Sequence, residues 1–499
     1  MSATSEPLVL AIDLGTTEVK SGLFTLDGRL VGLARAGHPT TRSDHGLAEQ
    51  DPAAWWAAIA QTTRQLLGEL PAGEAASHPG AGIVAICCVG QGPTLVPTDE
   101  AGLATGRAVT WLDTRAAAEV DELAALTGRF SWELGVLPAA LHLERHAPGA
   151  LGAARWYLNA WEAIACRMTG IAAETRLAGQ LRANPGDIAG SGIRVDRLPP
   201  VIEAGRRLGE LLAGPAADLG LTAGTPVVAG MVDAYASFFG AGLLETGDAV
   251  DTGGTSGGFA VYADRALSIP GSFCAPAPIA GLWVLGGAMN ATGKALDWFA
   301  GIVGDDVGID ALLADAAAVP PGSAGLVFLP YLAGERSPIW DPRARGAFVG
   351  LTLGHTRGHL ARAVVEAAAF ALRHVMGPIV AAGASVRELR VSGGPAQSTA
   401  WNQLKADVTG RVVAVPRVAE TAVLGAAIAA ANGIDAYPDL AAATRAMVAI
   451  DRRLVPDPAN RAVYDAAFDT YVQLYPALAD AFHRLANLED LSQGADAAT

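Results

Sequence analysis

The sequence predicts an α/β protein built from two related halves. Three observations carry this. Short strand–turn–strand units alternate with stretches of helical period along the chain. One such unit occurs twice: Asp13-Leu-Gly-Thr-Thr17 between apolar strands, and again Asp251-Thr-Gly-Gly-Thr-Ser256 between apolar strands. Hydrophobic residues make up 51% of the 499 and charged ones only 17%, enough to fill large cores.

The elements follow in order. Leu8–Ile12 reads as a strand and Val19–Phe24 as its returning partner, and the Asp27-Gly28 turn leads into Leu30-Val31. Asp51 caps and Pro52 opens a helix running through Leu67. After a loop over 71–82, residues 83–89 form a buried strand, and another lies near 108–112. The pattern from 116 to 170 is helical, with breaks near Pro138 and Pro148. Residues 183–200 read as a loop, 201–213 as a helix and 226–230 as a strand. In the second half, helices are expected over 308–318, 356–382, 398–409 and 421–432, and strands over 387–391 and 411–415. This organisation predicts an N-terminal domain over 1–245, a C-terminal domain over 246–486 and a disordered tail over 487–499.

Several classes of function are excluded by composition. Thirty-five basic against 50 acidic residues give a net charge of −15, without basic clusters, so a nucleic-acid partner is not expected. No uncharged apolar stretch reaches the roughly 18 residues of a membrane helix. The N-terminus has no basic segment of the signal-peptide kind, which points to a cytoplasmic protein. Cys87, Cys88, Cys166 and Cys274 form no C-x-x-C pair and read as small core residues.

Four constellations can carry chemistry. In the first turn, Gly15 allows close backbone approach, and the hydroxyls of Thr16 and Thr17 with the turn N–H groups can donate to phosphate oxygens. Asp13 can hold Mg²⁺ through water, and Lys20 is a further cation. The second turn offers the same equipment in Gly254, Thr255 and Ser256. Two such turns facing a cleft could clamp a nucleotide, although each alone is also a plain hairpin. Asp233 stands just past the carboxyl end of a buried strand, where it can accept a hydroxyl proton or simply cap the helix that follows. Gly393 and Gly394, between a strand and a helix start, let a flat ring such as adenine lie against the backbone, or form a packing turn.

Other signals are discounted. Gly287 to Lys294 lacks the spacing and the Ser/Thr of a P-loop. Gly253-Gly-Thr-Ser-Gly-Gly258 does not fit a dinucleotide fingerprint. His355 and His359, four apart across a helix start, suit a surface or capping role.

The order of motifs resembles the FGGY carbohydrate kinases of the actin-like ATPase superfamily. The pieces are Asp13-Leu-Gly-Thr-Thr17, Glu49-Gln-Asp-Pro52, Trp111-Leu-Asp-Thr-Arg115, Gly230-Met-Val-Asp233, Gly254-Thr-Ser256, Gly334-Glu-Arg-Ser-Pro338 and Gly393-Gly-Pro-Ala-Gln-Ser398. The resemblance implies two ribonuclease-H-like domains with a catalytic cleft between them. It further implies an ATP-dependent, Mg²⁺-requiring kinase acting on a hydroxyl of a small ketose or polyol, xylulokinase-like. Asp233 would be the base, with Asp13 beside it at the metal. Thr16, Thr17, Thr255 and Ser256 would face phosphates, while Gly293, Gly394, Gln397 and Ser398 would line the nucleotide. Gln91, Trp111 and Asp113 would lie by the sugar. Partners would be the sugar or polyol and ATP, and a homodimer is compatible with this reading. The alternatives are an erythritol- or gluconate-type kinase, another ATPase of the superfamily, or a non-catalytic sensor on the same fold.

The departures from the family pattern lie on the sugar side. Gly92-Pro93 stands where xylulokinases typically carry Met-His and glycerol kinases Arg-Glu; Ala234 replaces Asn or Gln, and Ala139 replaces Lys. These changes predict a more apolar wall beside Gln91 and a best substrate other than glycerol or D-xylulose.

Overall fold

A computed structural model describes residues 6–43, 45–70, 80, 82–129, 131–177, 185–253, 257–304 and 307–496. The chain divides into two compact units, Met1–Gly242 with Glu420–Val448, and Leu243–Ala419 with Ala449–Thr499.

The first unit is organised by a six-stranded sheet in the order Arg207–Glu210, Pro226–Val228, Ile83–Gly90, Leu8–Leu14, Glu18–Thr25, Leu30–Gly37. Leu8–Leu14 is the hinge of its topology: it runs antiparallel to Glu18–Thr25 and parallel to Ile83–Gly90. Every residue of Leu8–Leu14 is buried, which explains its unbroken apolar run up to Asp13. The helix Pro52–Glu69 starts as its sequence dictates, with the Asp51 carboxylate accepting from the Ala53 N–H at 2.9 Å and proline in the first turn. It lays Trp55, Trp56, Ile59, Leu66 and Leu67 against the strands Glu18–Thr25 and Leu30–Gly37.

On the same sheet the helix Asp233–Gly240 packs against Thr421–Gly433, which returns from late in the chain. Their approach leaves no room for side chains at the crossing. A Cβ on Gly425 would lie 1.9 Å from the Ala236 carbonyl oxygen, and one on Gly240 1.8 Å from that of Thr421. Glycine at both positions fixes how deeply the N-terminus of Asp233–Gly240 sits.

The second unit repeats the plan in seven strands: Phe273–Pro276, Trp283–Met289, Gly257–Ala263, Asp248–Thr252, Glu388–Ser392, Val413–Pro416, Ile450–Leu454. Asp248–Thr252 takes the place of Leu8–Leu14, antiparallel to its hairpin partner and parallel to Glu388–Ser392. The duplicated strand–turn–strand read in the sequence is therefore a duplicated sheet topology. Arg357–Ala381 is long and apolar enough to cross a membrane by composition alone, but 72% of its most apolar window is buried inside the protein, where it serves as a core helix.

One expected element is corrected. Residues 201–213 are not a helix: Val201–Glu203 and Arg207–Glu210 are strands, and helix begins only at Ala213. Gly205 takes a φ of +81°, which breaks any helix, and Arg207–Glu210 gains ladder bonds as the sheet edge beside Pro226–Val228. The helical stretch 116–170 is likewise interrupted by the strand Trp156–Leu158, paired with Val96–Thr98.

Candidate active site

In the first unit three parallel strands end side by side, and the candidate residues stand at those ends. Asp13 is the penultimate residue of Leu8–Leu14, and Gln91 follows Ile83–Gly90 with its N–H donating to the Leu14 carbonyl at 2.9 Å. Asp233 follows the third strand, where the Gly90 N–H donates to the Met231 carbonyl at 3.2 Å and Val232 bridges Gly90. This is where open α/β sheets concentrate function.

The two aspartates are under electrostatic stress. Burial pushes the Asp13 carboxyl up to about 6, with Lys20 opposing. Burial, and then the charge of Asp13, push Asp233 up to about 7, although the Ala234 N–H donates to Asp233 Oδ1 at 2.7 Å. Asp13 Oδ1 is buried without a hydrogen-bond partner. Two carboxyls both raised by burial, the second also by the charge of the first, and one with an orphaned oxygen, are a donor set suited to a hard cation held by oxygen.

The Gly15 turn is braced from behind. The Gly15 N–H donates to the Glu18 carbonyl at 3.1 Å, and His38 Nε2 lies 3.1 Å from the Gly15 carbonyl, with burial pushing the imidazole down. Thr17 is exposed, and the Thr16 hydroxyl accepts from Trp111 Nε1 at 3.0 Å. Lys20 is committed: its ammonium lies 2.8 Å from Glu420, which also pairs with Arg35. Burial opposes the charge on Glu420, yet Lys20 and Arg35 hold its carboxyl below the ordinary value. Sequence reading missed Glu420, which lies 400 residues from Lys20 and carries no local signal.

Gln91 sits in a chain of fixed donors. The Trp55 indole, a donor only, reaches Gln50 Oε1 at 2.9 Å, so the Gln50 amide nitrogen turns to the Thr16 carbonyl at 2.7 Å and the Thr40 hydroxyl at 2.6 Å. Gln91 must then give its own NH₂ to Gln50 Oε1, at 2.7 Å, which leaves Gln91 Oε1 buried with no donor. Gln50 and Trp55 were not singled out from sequence, although Gln50 stands inside the Glu49–Pro52 motif. Trp111 is 42% exposed, and its indole N–H is held by the Thr16 hydroxyl. Asp113 is occupied by its own loop: it accepts from the Ala48 N–H at 2.9 Å, the Arg115 N–H at 3.0 Å and the Arg115 guanidinium at 2.7 Å. Arg115 also pairs with Glu49 at 2.7 Å.

In the second unit, Gly254, Thr255 and Ser256 lie outside the described residues. Gly293 immediately precedes the helix Lys294–Val303. Gly393 has a φ of +73° and donates its N–H to the Ala419 carbonyl at 2.9 Å. Gly394 is exposed, and a Cβ there would meet nothing within 4 Å. Gln397 is exposed and Ser398 caps Thr399–Thr409 through the Trp401 N–H at 3.3 Å. Glu335 of the Gly334–Pro338 motif is buried; it accepts from the Asn290 and Arg336 N–H groups at 2.9 and 2.8 Å, and burial pushes it up to about 7. It ties that motif to the loop leading to Gly293.

Comparison with known proteins gives a consistent answer. The N-terminal domain of the FGGY family of carbohydrate kinases matches residues 8–173, and its C-terminal domain matches residues 249–434. A xylulose kinase of Escherichia coli (strain K12) is 30% identical over 509 positions, covering 94% of this chain and 99% of that protein. The crystal structure of xylulose kinase from Rhodospirillum rubrum superposes with a TM-score of 0.79 at 31% identity, covering 95% of this chain and all of that one. In fold alone, gluconate kinase from Lactobacillus acidophilus superposes at 0.82 with 24% identity, over 96% of this chain and 99% of that one.

Proposed function

The chain belongs to the FGGY family of carbohydrate kinases, and from that premise we propose which of its residues carry phosphoryl transfer from ATP to a sugar hydroxyl. It is an ATP-dependent sugar kinase of the actin-like ATPase fold. Asp233 is the base: it stands past the end of the third parallel strand, where burial and the charge of Asp13 raise its proton affinity in the metal-free chain. Gln91 Oε1 accepts a hydrogen bond from a sugar hydroxyl, and Trp111 lies against a carbon face of the ring or chain. Asp113 positions the Trp111 loop through Arg115 and Ala48 rather than meeting the sugar.

Asp13 and Asp233 would hold Mg²⁺; the orphaned Asp13 Oδ1 and the raised carboxyls, Asp233 in part by the charge of Asp13, support that fit. The ion, when bound, supplies positive charge for the β- and γ-phosphate oxygens. Thr16, Thr17 and the N–H groups around Gly15 face phosphate, and the same task is assigned to Gly254, Thr255 and Ser256, which repeat that pattern in the sequence of the second half. Gly293, Gly393, Gly394, Gln397 and Ser398 line the nucleotide, and the open backbone at Gly394 suits a flat base.

The substrate is an uncharged small ketose or polyol. Lys20, Arg35, Arg107 and Arg115 around the strand ends are each paired with a carboxylate, which favours a neutral sugar over a sugar acid. The wall at Gly92 supports a preference for neither glycerol nor D-xylulose. A Cβ at Gly92 would fall 2.8 Å from the Trp161 ring and 3.4 Å from Val232, so no side chain reaches the sugar from there. The Trp161 N–H is spent on the Thr175 hydroxyl at 2.7 Å. The kinase is read as a cytoplasmic enzyme without a nucleic-acid or membrane partner.

The observation that carries this reading is the pair of unmet acceptors, Asp13 Oδ1 and Gln91 Oε1, at the ends of adjacent parallel strands. A panel of ketoses, polyols and gluconate in a coupled ADP-release assay tests it. Sugar-dependent ADP release is expected, with a neutral sugar best. ADP release indifferent to every sugar would exclude the site as drawn, and D-xylulose ranking first by about tenfold or more would overturn the substrate preference.

A further inference from the structure

Two helices of the first unit bring together a cluster that phosphoryl transfer does not use. His142 and His146 are one turn apart on Leu137–His146, and their rings lie side by side with centroids 4.7 Å apart. Glu119, on the first turn of Ala117–Thr127, points both oxygens at them: Oε2 lies 3.2 Å from His142 Nδ1 and Oε1 3.2 Å from His146 Nε2. Glu119 is 3% exposed, and among the described residues its ion pairs are with these two imidazoles alone. Arg145, the nearest guanidinium in sequence, is turned into a two-pronged pair with Glu122 at 2.7 and 2.8 Å.

We propose that Glu119, His142 and His146 form a binding site for a divalent transition-metal ion of the zinc type. The three candidate ligand atoms lie within 4.8 Å of one another. In a tetrahedron with metal–ligand bonds of 2.0–2.1 Å the ligands stand about 3.3 Å apart, close to the 3.2 Å between each imidazole and its own Glu119 oxygen. From separations within 4.8 Å, small side-chain rotations bring both imidazoles to one Glu119 oxygen and close the imidazole–imidazole edge. Two imidazole nitrogens and one carboxylate oxygen select Zn²⁺, Co²⁺, Ni²⁺ or Cu²⁺ over Mg²⁺, which takes oxygen. His146 is 60% exposed, which provides an entry path and room for water as fourth ligand.

The geometry also separates this pair from the other histidine pair. His355 and His359 are likewise near one another, but each Nδ1 accepts a backbone N–H, from Thr352 at 2.9 Å and Thr356 at 3.2 Å, as helix-start caps. No buried carboxylate joins them in a ligand cluster among the described residues. Bound metal would cross-link Ala117–Thr127 to Leu137–His146, the two helices that follow the Trp111–Arg115 loop.

The test is titration of the untagged, chelator-treated full chain with ZnCl₂ by calorimetry, and with CoCl₂ by visible absorption. One equivalent of Zn²⁺ should bind, with tetrahedral Co²⁺ bands. At a hundredfold excess over Kd, the melting midpoint should rise by roughly 5 °C. His146→Ala, which removes a mostly exposed side chain, should weaken Zn²⁺ binding roughly 100-fold and abolish the Co²⁺ bands, while sugar-kinase turnover with Mg-ATP stays at the wild-type level. His355→Ala/His359→Ala should bind as wild type does. Absence of saturable binding to the wild type, or binding that His146→Ala leaves unchanged, overturns the proposal. So does binding that is lost in His355→Ala/His359→Ala.

Discussion

Replacing Gln91 with leucine separates what this residue does for the sugar from what it does for the fold. Gln91 Oε1 is a buried acceptor with no donor, while its NH₂ serves Gln50. In Gln91→Leu the sugar hydroxyl that should meet Oε1 is left unpaired against an apolar side chain. An unpaired buried polar group costs about 1–3 kcal/mol. That corresponds to a loss of about 5- to 150-fold in kcat/KM for the best sugar. Stability should move the other way or not at all. The bond to Gln50 Oε1 is lost, worth about 1 kcal/mol, but Gln50 keeps its Trp55 donor, and an unsatisfied carbonyl disappears, a relief of about 1–3 kcal/mol. Steady-state kinetics with the best sugar and with ATP, and a thermal melt without sugar, give both readouts. The expected result is a lowered kcat/KM for sugar, a KM for ATP within about twofold of wild type, and a melting midpoint equal or higher. A variant with unaltered sugar kinetics would refute the assignment. A variant that simply melts earlier would show Gln91 to be a core residue.

Three further outcomes are expected. Asp233→Asn should lower kcat by roughly 10²–10⁴ while the sugar KM stays within a few fold, checked by steady-state kinetics; retention of more than about a tenth of kcat would exclude Asp233 as base. Asp13→Asn should raise the Mg²⁺ concentration needed for half-maximal turnover or abolish turnover, measured by Mg²⁺ titration at fixed ATP, and turnover equal with and without EDTA would contradict the metal role. Glu162 gives a pH dependence: burial pushes it from 4.5 to about 7, so between those values the folded chain binds more protons than the unfolded one. Glu162 should therefore contribute about 3 kcal/mol of lost stability as pH rises from 4.5 to 7, alongside the likewise raised Asp13, Asp233 and Glu335, and Glu162→Gln should make the slope in denaturant melts shallower by that share. A slope of equal size in the variant would show that another group is responsible.

Local chemistry was legible where it is local. Asp51-Pro52 reads as a helix start because both cap and first turn lie within three residues, and the structure makes that cap. The repeat of an aspartate–glycine–hydroxyl turn forecast two sheets of one topology, since a strand ending in such a turn can only return antiparallel. What failed or stayed hidden depends on distant partners. Residues 201–213 have helix-forming composition, but the sheet edge beside Pro226–Val228 captured part of the segment and Gly205 broke it. Lys20 reads as a free cation until Glu420 is brought to it. Gln91 reads as one polar residue after a strand; only the donor-only indole of Trp55, acting through Gln50, decides which end of its amide is left over. Asp113 looks like a sugar ligand in a motif, yet its oxygens are filled by the neighbours that motif brings along.

The treatment of buried carboxylates across the molecule argues that the strand ends are built for a ligand. Glu162 receives four donors, from the Asn159 N–H and amide and from the Thr175 N–H and hydroxyl. Glu366 receives the Gly322 N–H, the Ser323 hydroxyl and the Arg362 guanidinium. Asp248 receives the Leu244 and Glu245 N–H groups and Arg387. Satisfaction is the rule for buried charge, because an unmet oxygen in low dielectric is expensive. Among the described residues Asp13 is the one carboxylate with a buried oxygen left unpartnered, and it faces a second carboxylate that its own charge raises. A fold that satisfies Glu162, Glu366 and Asp248 so fully could supply one more donor to Asp13. Leaving that position open, next to an equally unmet Gln91 Oε1, places the instability where the cation and the sugar hydroxyl proposed above would relieve it together. The binding energy gained there would be available for aligning the hydroxyl with the proposed base Asp233, the use of binding energy that raises kcat rather than affinity.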